Sequence, residues 1–281
     1  MRDFLLTDSD KTFRVELRNF LARELLAART AIENDDDWTA VTRAIRALGE
    51  AGYLTLMFPE LYRGPLEHPG LTHATMVSEE AAYLNYAFET TIATALSCAY
   101  PLYHYAQPEV RERFLPGILG GREIGATTVT EPDAGSDTSG MKTRVEFDAA
   151  RDEWVVNGFK RYISNASVAD VYVVFGISNT DAPTNKGMSA VAVPAGTPGL
   201  SFPRRYAFMG RRGSVVGEVE FRDCRTSPAP TMPTRSRTGI TSSRPWPSIP
   251  TRTARRCGRT LLPRTAPPWS TRRVPPGARR A

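Results

Sequence analysis

The sequence predicts an α+β chain: an all-α helical domain over 1–122, a small β-barrel or sandwich over 123–225, and an unstructured basic tail over 226–281. Three observations carry this. Apolar residues recur at helical spacing in the first part. The pattern switches to period two after Gly120-Gly121. Every period then vanishes after Arg225, where arginine and proline take over.

In the first region, Phe13, Leu17, Phe20, Leu21, Leu25 and Leu26 follow 3–4 spacing, with charged residues elsewhere on the wheel. Asp8 or Ser9 is placed to cap that helix. A second helix from about Thr39 to Glu50 puts Val41, Ile45 and Leu48 on one face, and Gly52 suits its end. Thr72 to about Tyr100 is Ala-rich with few breakers, as expected of closely packed bundle helices. Pro108 opens one more short helix, through Leu115.

In the second region, Ala126 to Thr130 reads as a strand that enters a Pro-Asp-Ala-Gly turn. Arg144–Asp148 and Glu153–Asn157 form a hairpin pattern around Asp152. Strands are also expected at Asp170–Gly176, Met188–Pro194 and Gly217–Asp223, separated by Gly, Pro, Asn or Asp.

Charge divides the chain in the same place. Residues 226–281 hold 12 Arg and 11 Pro with no Lys, Asp or Glu, which makes the tail +12 and leaves the rest at −6. The overall basic balance is therefore a property of the tail. It is read either as a disordered arm able to bind a polyanion, or as out-of-frame translation of GC-rich DNA. Nucleic acid is not the expected partner of the folded part. Three scattered cysteines and three histidines supply no disulfide framework and no metal-ligand spacing. The chain shows neither a signal peptide nor a membrane span, and a cytoplasmic setting is expected.

The most specific segment is Gly125-Ala-Thr-Thr-Val-Thr-Glu-Pro-Asp-Ala-Gly-Ser-Asp137. A turn so rich in small residues and hydroxyls offers backbone N–H groups to an anion or to the edge of a heteroaromatic ring. The string resembles the FAD loop of the acyl-CoA dehydrogenase family. Other similar stretches surround it in order: Arg113-Phe-Leu-Pro, Gly120-Gly-Arg-Glu-Ile-Gly-Ala, Trp154 to Ala166 (the family's "NGxKxWITNA" stretch), Met209-Gly-Arg-Arg-Gly-Ser and Val219-Glu-Phe-Arg-Asp-Cys-Arg225. The resemblance covers about 1–225, is strongest from 109 to 225, and then stops.

The resemblance implies the following roles. Thr127, Val129, Thr130, Gly135 and Ser136 line FAD, with Val129 and Thr130 facing the ring and Gly135 and Ser136 near the pyrophosphate. Thr127 stands where some members carry an aromatic residue. Ser136 also lies near the pantetheine arm of the thioester. Tyr162, Ile163 and Ser164 form a second flavin strand; Tyr162 stands where Trp is usual and Ser164 where Thr is usual. Asn185 matches a polar substrate contact. The implied reaction is α,β-desaturation of an acyl-CoA, or of an acyl-carrier-protein thioester in a same-fold dehydrogenase, oxidase or monooxygenase. An electron-transfer flavoprotein or similar acceptor and homo-oligomerisation in the full-length enzyme are implied too. The usual base is a Glu beyond the middle domain. No Glu follows Arg225, so no catalytic residue is named, and this truncated chain is expected to be impaired. A non-catalytic remnant with a basic arm is the reading of another class.

Overall fold

The computed structural model describes residues 6–35, 38–63 and 66–226, so the predicted tail from 227 onward lies outside the described residues. Five helices come first: α1 (Asp8–Asp35), α2 (Trp38–Glu50), α3 (Leu71–Leu84), α4 (Tyr86–Tyr105) and α5 (Pro108–Leu119). Thr7, rather than Asp8 or Ser9, caps α1: its hydroxyl accepts from Asp10 N at 3.1 Å, and its own N–H donates to the Asp10 carboxylate at 2.9 Å. This is the reciprocal arrangement of a capping box, with Asp at the third helical position. The α2 face formed by Val41, Ile45 and Leu48 is buried, as its period requires. Gly52 then takes the left-handed conformation, φ 79°. The Ala-rich stretch divides at Asn85, whose extended backbone ends α3 and whose side chain accepts from Ala87 N at 2.8 Å to cap α4.

The strands are β1 (Gly125–Thr128), β2 (Arg144–Asp148), β3 (Glu153–Ser164), β4 (Val171–Ile177), β5 (Met188–Pro194), β6 (Leu200–Ser201) and β7 (Val216–Thr226). They form one curled seven-stranded sheet, and its order is β1-β4-β2-β3-β7-β6 with β5 beside β4. A single bridge, Arg144↔Ile177, joins the β1-β4-β5 leaf to the β2-β3-β7-β6 leaf. Thr226, the first residue of the predicted tail, still pairs with Trp154 at the end of β7.

The β1-β4-β5 leaf is buried on both faces. Val171, Val173, Ala190 and Ala192 pack into the helical core, while Tyr172, Val174, Val191 and Val193 pack against the other leaf. That is why β4 and β5 read as unbroken apolar runs instead of alternating ones. Close approach of α4 to β1 requires glycine: a Cβ on Gly125 would stand 2.7 Å from the Cβ and Sγ of Cys98. Gly121 (φ 67°) serves the same purpose at the α2 contact, where a Cβ would stand 2.2 Å from Ile45 O.

Candidate functional site

The strand β1 and the end of β3 run side by side and make a seam. Hydrogen bonds that cross it include Arg161 N to Thr130 O at 2.9 Å, Lys160 Nζ to Val129 O at 3.0 Å, and the buried Asn165 side chain to Gly125 O at 3.1 Å. Thr127, Val129 and Thr130 thereby lie along one side of the seam, and Tyr162 and Ser164 along the other. Thr127, Val129, Thr130 and Ser164 are half-buried. The Thr127 hydroxyl also shares a 3.1 Å hydrogen bond with Ser97 of α4. Val129 packs over the small cluster of Ala134, Met141 and Ile177. Ile163 differs from its neighbours: its side chain is buried in the sheet core, so only its backbone faces the seam.

A bulge sets Tyr162 apart. The β3–β7 register slips between Lys160 and Ile163, and Tyr162 takes φ 56°, a conformation unfavourable for a bulky residue. The bulge turns the ring outward, 53% exposed. The ring stacks on Tyr206 at 4.9 Å and lies beneath the Arg161 guanidinium, also at 4.9 Å. Tyr206 in turn borders a groove of about 430 Å³ whose lining includes Arg205, Phe208, Arg211, Arg212 and Ser214.

From Thr130 the chain enters the loop that carries Gly135 and Ser136. Both are exposed, and among the described residues neither amide has an intramolecular acceptor. The loop is held from within. Glu131 and Ala134 exchange backbone hydrogen bonds, Asp137 accepts from Ser139 N at 2.9 Å, and Lys142 pairs with Asp133 at 2.6 Å. Thr184, at the start of the helical turn Thr184–Gly187, donates to Ser139 O at 3.0 Å and brings that turn against the loop. The turn contains Asn185, whose side chain is outside what the structure describes.

Two residues at the centre of this arrangement are absent from the sequence-derived set. Glu131 and Lys160 form an ion pair at 2.7 Å with side chains 4% and 0% exposed. The Glu131 carboxylate also accepts from Lys142 N at 2.6 Å and Thr143 N at 3.1 Å. Burial pushes the Glu131 carboxyl up, but the hydrogen bonds from Lys160, Thr143 and Lys142 outweigh it and hold it below its ordinary value. Burial is also the largest influence on Lys160 and pulls its ammonium down to about 8.

Free amides at a glycine turn suit a phosphate, and an exposed aromatic face beside hydroxyls and backbone suits a flat heteroaromatic ring. Among the described residues no cluster of His, Cys, Asp and Glu could hold a metal ion, and no helix is long and apolar enough to cross a membrane.

Comparison with known proteins agrees with this geometry. Residues 7–122 match "Acyl-CoA dehydrogenase, N-terminal domain" and residues 126–224 match "Acyl-CoA dehydrogenase, middle domain". The chain belongs to the acyl-CoA dehydrogenase family. It is 31% identical over 227 residues to the acryloyl-CoA reductase (NADH) of Anaerotignum propionicum, covering 81% of this chain and 56% of that protein. The chain thus spans about half the length of the curated relatives it matches. Among solved structures it is similar to a glutaryl-coenzyme A dehydrogenase in its glutaryl-CoA complex, with TM-score 0.74 and 26% identity over 82% of this chain and 58% of that one. It shares its fold with an acyl-CoA dehydrogenase from Bacillus anthracis complexed with FAD, with TM-score 0.70 and 23% identity over 81% of this chain and 38% of that one.

Proposed function

We propose that this chain provides the flavin-and-thioester platform of an FAD-dependent acyl-CoA dehydrogenase, which introduces an α,β double bond into an acyl thioester. The observation that supports this is the seam: two hydrogen-bonded segments, an outward aromatic ring and two free amides, all within family-matched sequence. In this reading the helical part, 1–122, and the β part, 123–225, are the two domains that present that platform.

FAD, when bound, supplies the acceptor for the β-hydride. The chain's own residues hold and orient. The amides of Gly135 and Ser136 take the diphosphate. Thr127, Val129, Thr130 and the Ile163 backbone line the ring, Tyr162 packs beside it, and the Ser164 hydroxyl donates to its edge. Ser136 and Asn185 contact the arm of the thioester. Glu131 is not available as the base that removes the α-proton, because its carboxylate is committed to Lys160 and two backbone amides. No described residue is assigned that role, so turnover by the chain as it stands is expected to be slight. Coenzyme A is favoured over a carrier protein as the thioester carrier, since the relatives bear CoA names. An electron-transfer flavoprotein as acceptor and self-association belong to the same reading.

The test is to titrate FAD into the purified full chain and follow flavin fluorescence, then to add acyl-CoAs of increasing length. Saturable quenching, followed by an acyl-CoA-dependent change in the flavin spectrum, is expected. A chain that is folded by circular dichroism yet leaves flavin fluorescence unchanged would remove the proposal. Rapid dye reduction with an acyl-CoA would contradict the expectation of slight turnover.

A further inference from the structure

We propose that the buried Glu131–Lys160 pair is the positioning device of the flavin platform, holding its two segments in register so that cofactor affinity depends on it. The inference rests on the flavin reading above and adds two residues that do not themselves touch the cofactor.

The argument begins with where Lys160 lies. Trp154, Val156 and Lys160 alternate on the inward face of β3, and the first two are core residues. An apolar side chain would satisfy that position at lower desolvation cost, since a buried ion pair often contributes no more stability than a hydrophobic replacement. General packing therefore does not account for a lysine there.

Its neighbours suggest what does. Glu131 directly follows Thr130, and Lys160 directly precedes Arg161, whose N–H donates to Thr130 O. Each member of the pair is thus adjacent to a backbone–backbone hydrogen bond across the seam. The Lys160 ammonium reaches further and donates to Val129 O at 3.0 Å as well as to Glu131. On the other side, Glu131 accepts from the amides of Lys142 and Thr143, which end the loop that it begins. One carboxylate therefore fixes three things together: the second segment, the entry to the Gly135–Ser136 loop, and the exit from it. Releasing it frees the loop neck and the seam at once, and displacements of this kind weaken binding steeply.

The experiment compares full-length variants by FAD titration, each at a temperature where circular dichroism shows it folded. Lys160→Met is expected to weaken FAD binding about tenfold or more, and Lys160→Arg to recover part of the loss. If Lys160→Met does not fold, Glu131→Gln/Lys160→Met carries the test, because it leaves no buried charge; it is expected to fold and still to bind FAD weakly. Glu80→Gln, at an ion pair remote from the seam, should lower the melting temperature with FAD affinity unchanged. Wild-type affinity in folded Lys160→Met or in the double variant would overturn the proposal and leave the pair a stabilising element only. An equal loss of affinity in Glu80→Gln would overturn it too, by showing that affinity follows stability. A folded wild-type chain that binds no FAD would instead defeat the flavin reading itself, and this inference with it.

Discussion

The helical and β regions each bury one carboxylate against cations, and they do it differently. Glu80 on α3 meets Arg14 at 2.5 Å and Arg18 at 2.7 Å, both on α1, so the pair clamps two helices. Arg18 remains 55% exposed, and the guanidinium fork keeps contact with water. Glu131 meets a lone ammonium that is wholly enclosed, and the remaining donors on it come from backbone. The first arrangement fastens preformed elements at the edge of a core. The second fixes irregular backbone, which has no ladder of its own to hold it. A site built from loop segments needs the second kind, and the cost of desolvation marks where precise placement is required.

The sharpest way to break this contrast is to remove one charge from each pair. Lys160→Met strands a buried carboxylate and should lower unfolding free energy by about 3–5 kcal/mol in urea melts. Glu80→Gln leaves Arg18 open to solvent and Arg14 still beside Glu79 at 3.6 Å, and about 1–3 kcal/mol is expected. Equal losses would erase the distinction.

Acid sharpens the same comparison. Burial raises Glu80, but hydrogen bonds from Arg18 and Arg14 outweigh it, and its folded value, like that of Glu131, lies below the ordinary one. Asp10 is also lowered, chiefly by the Thr7 backbone N–H. A depressed folded value means stability that is fully present above the unfolded value, about 4.3 for Glu and 3.9 for Asp, and lost as pH falls through the folded one. The urea midpoint should hold from neutral pH down to about 5 and then drop steadily. The neutral Glu131→Gln/Lys160→Met variant should drop less.

Much of this architecture can be read from the sequence, and the exceptions have physical causes. Helices with one buried face, such as α2, announce themselves through Val41, Ile45 and Leu48. The two-residue strand β6 is too short to show any period. β3 reads as ending before Gly158 because glycine punctuates a strand pattern, although the strand continues to Ser164. The turn at 131–137 and the segment at 162–164 are legible as motifs. Their juxtaposition is not, because it is made by bonds between residues about thirty positions apart. The signal that could have found Lys160 is its place on the inward face of a strand, in step with Trp154 and Val156.

The smallest effect is expected at the bulge. Tyr162→Gly should shift stability by less than about 1 kcal/mol, since relief of the left-handed backbone offsets the lost stacking on Tyr206. Flavin affinity should nonetheless fall. A large loss of stability would make Tyr162 a structural residue.

The central claim is that the seam and the Gly135–Ser136 loop form one cofactor platform. Amide hydrogen exchange on the full chain, with and without FAD, tests it most directly. Protection should rise at 127–136 and 161–165 together, while the α1–α3 clamp around Glu80 stays unchanged. Protection that appears only around the 205–214 groove, or in neither segment, would contradict the account.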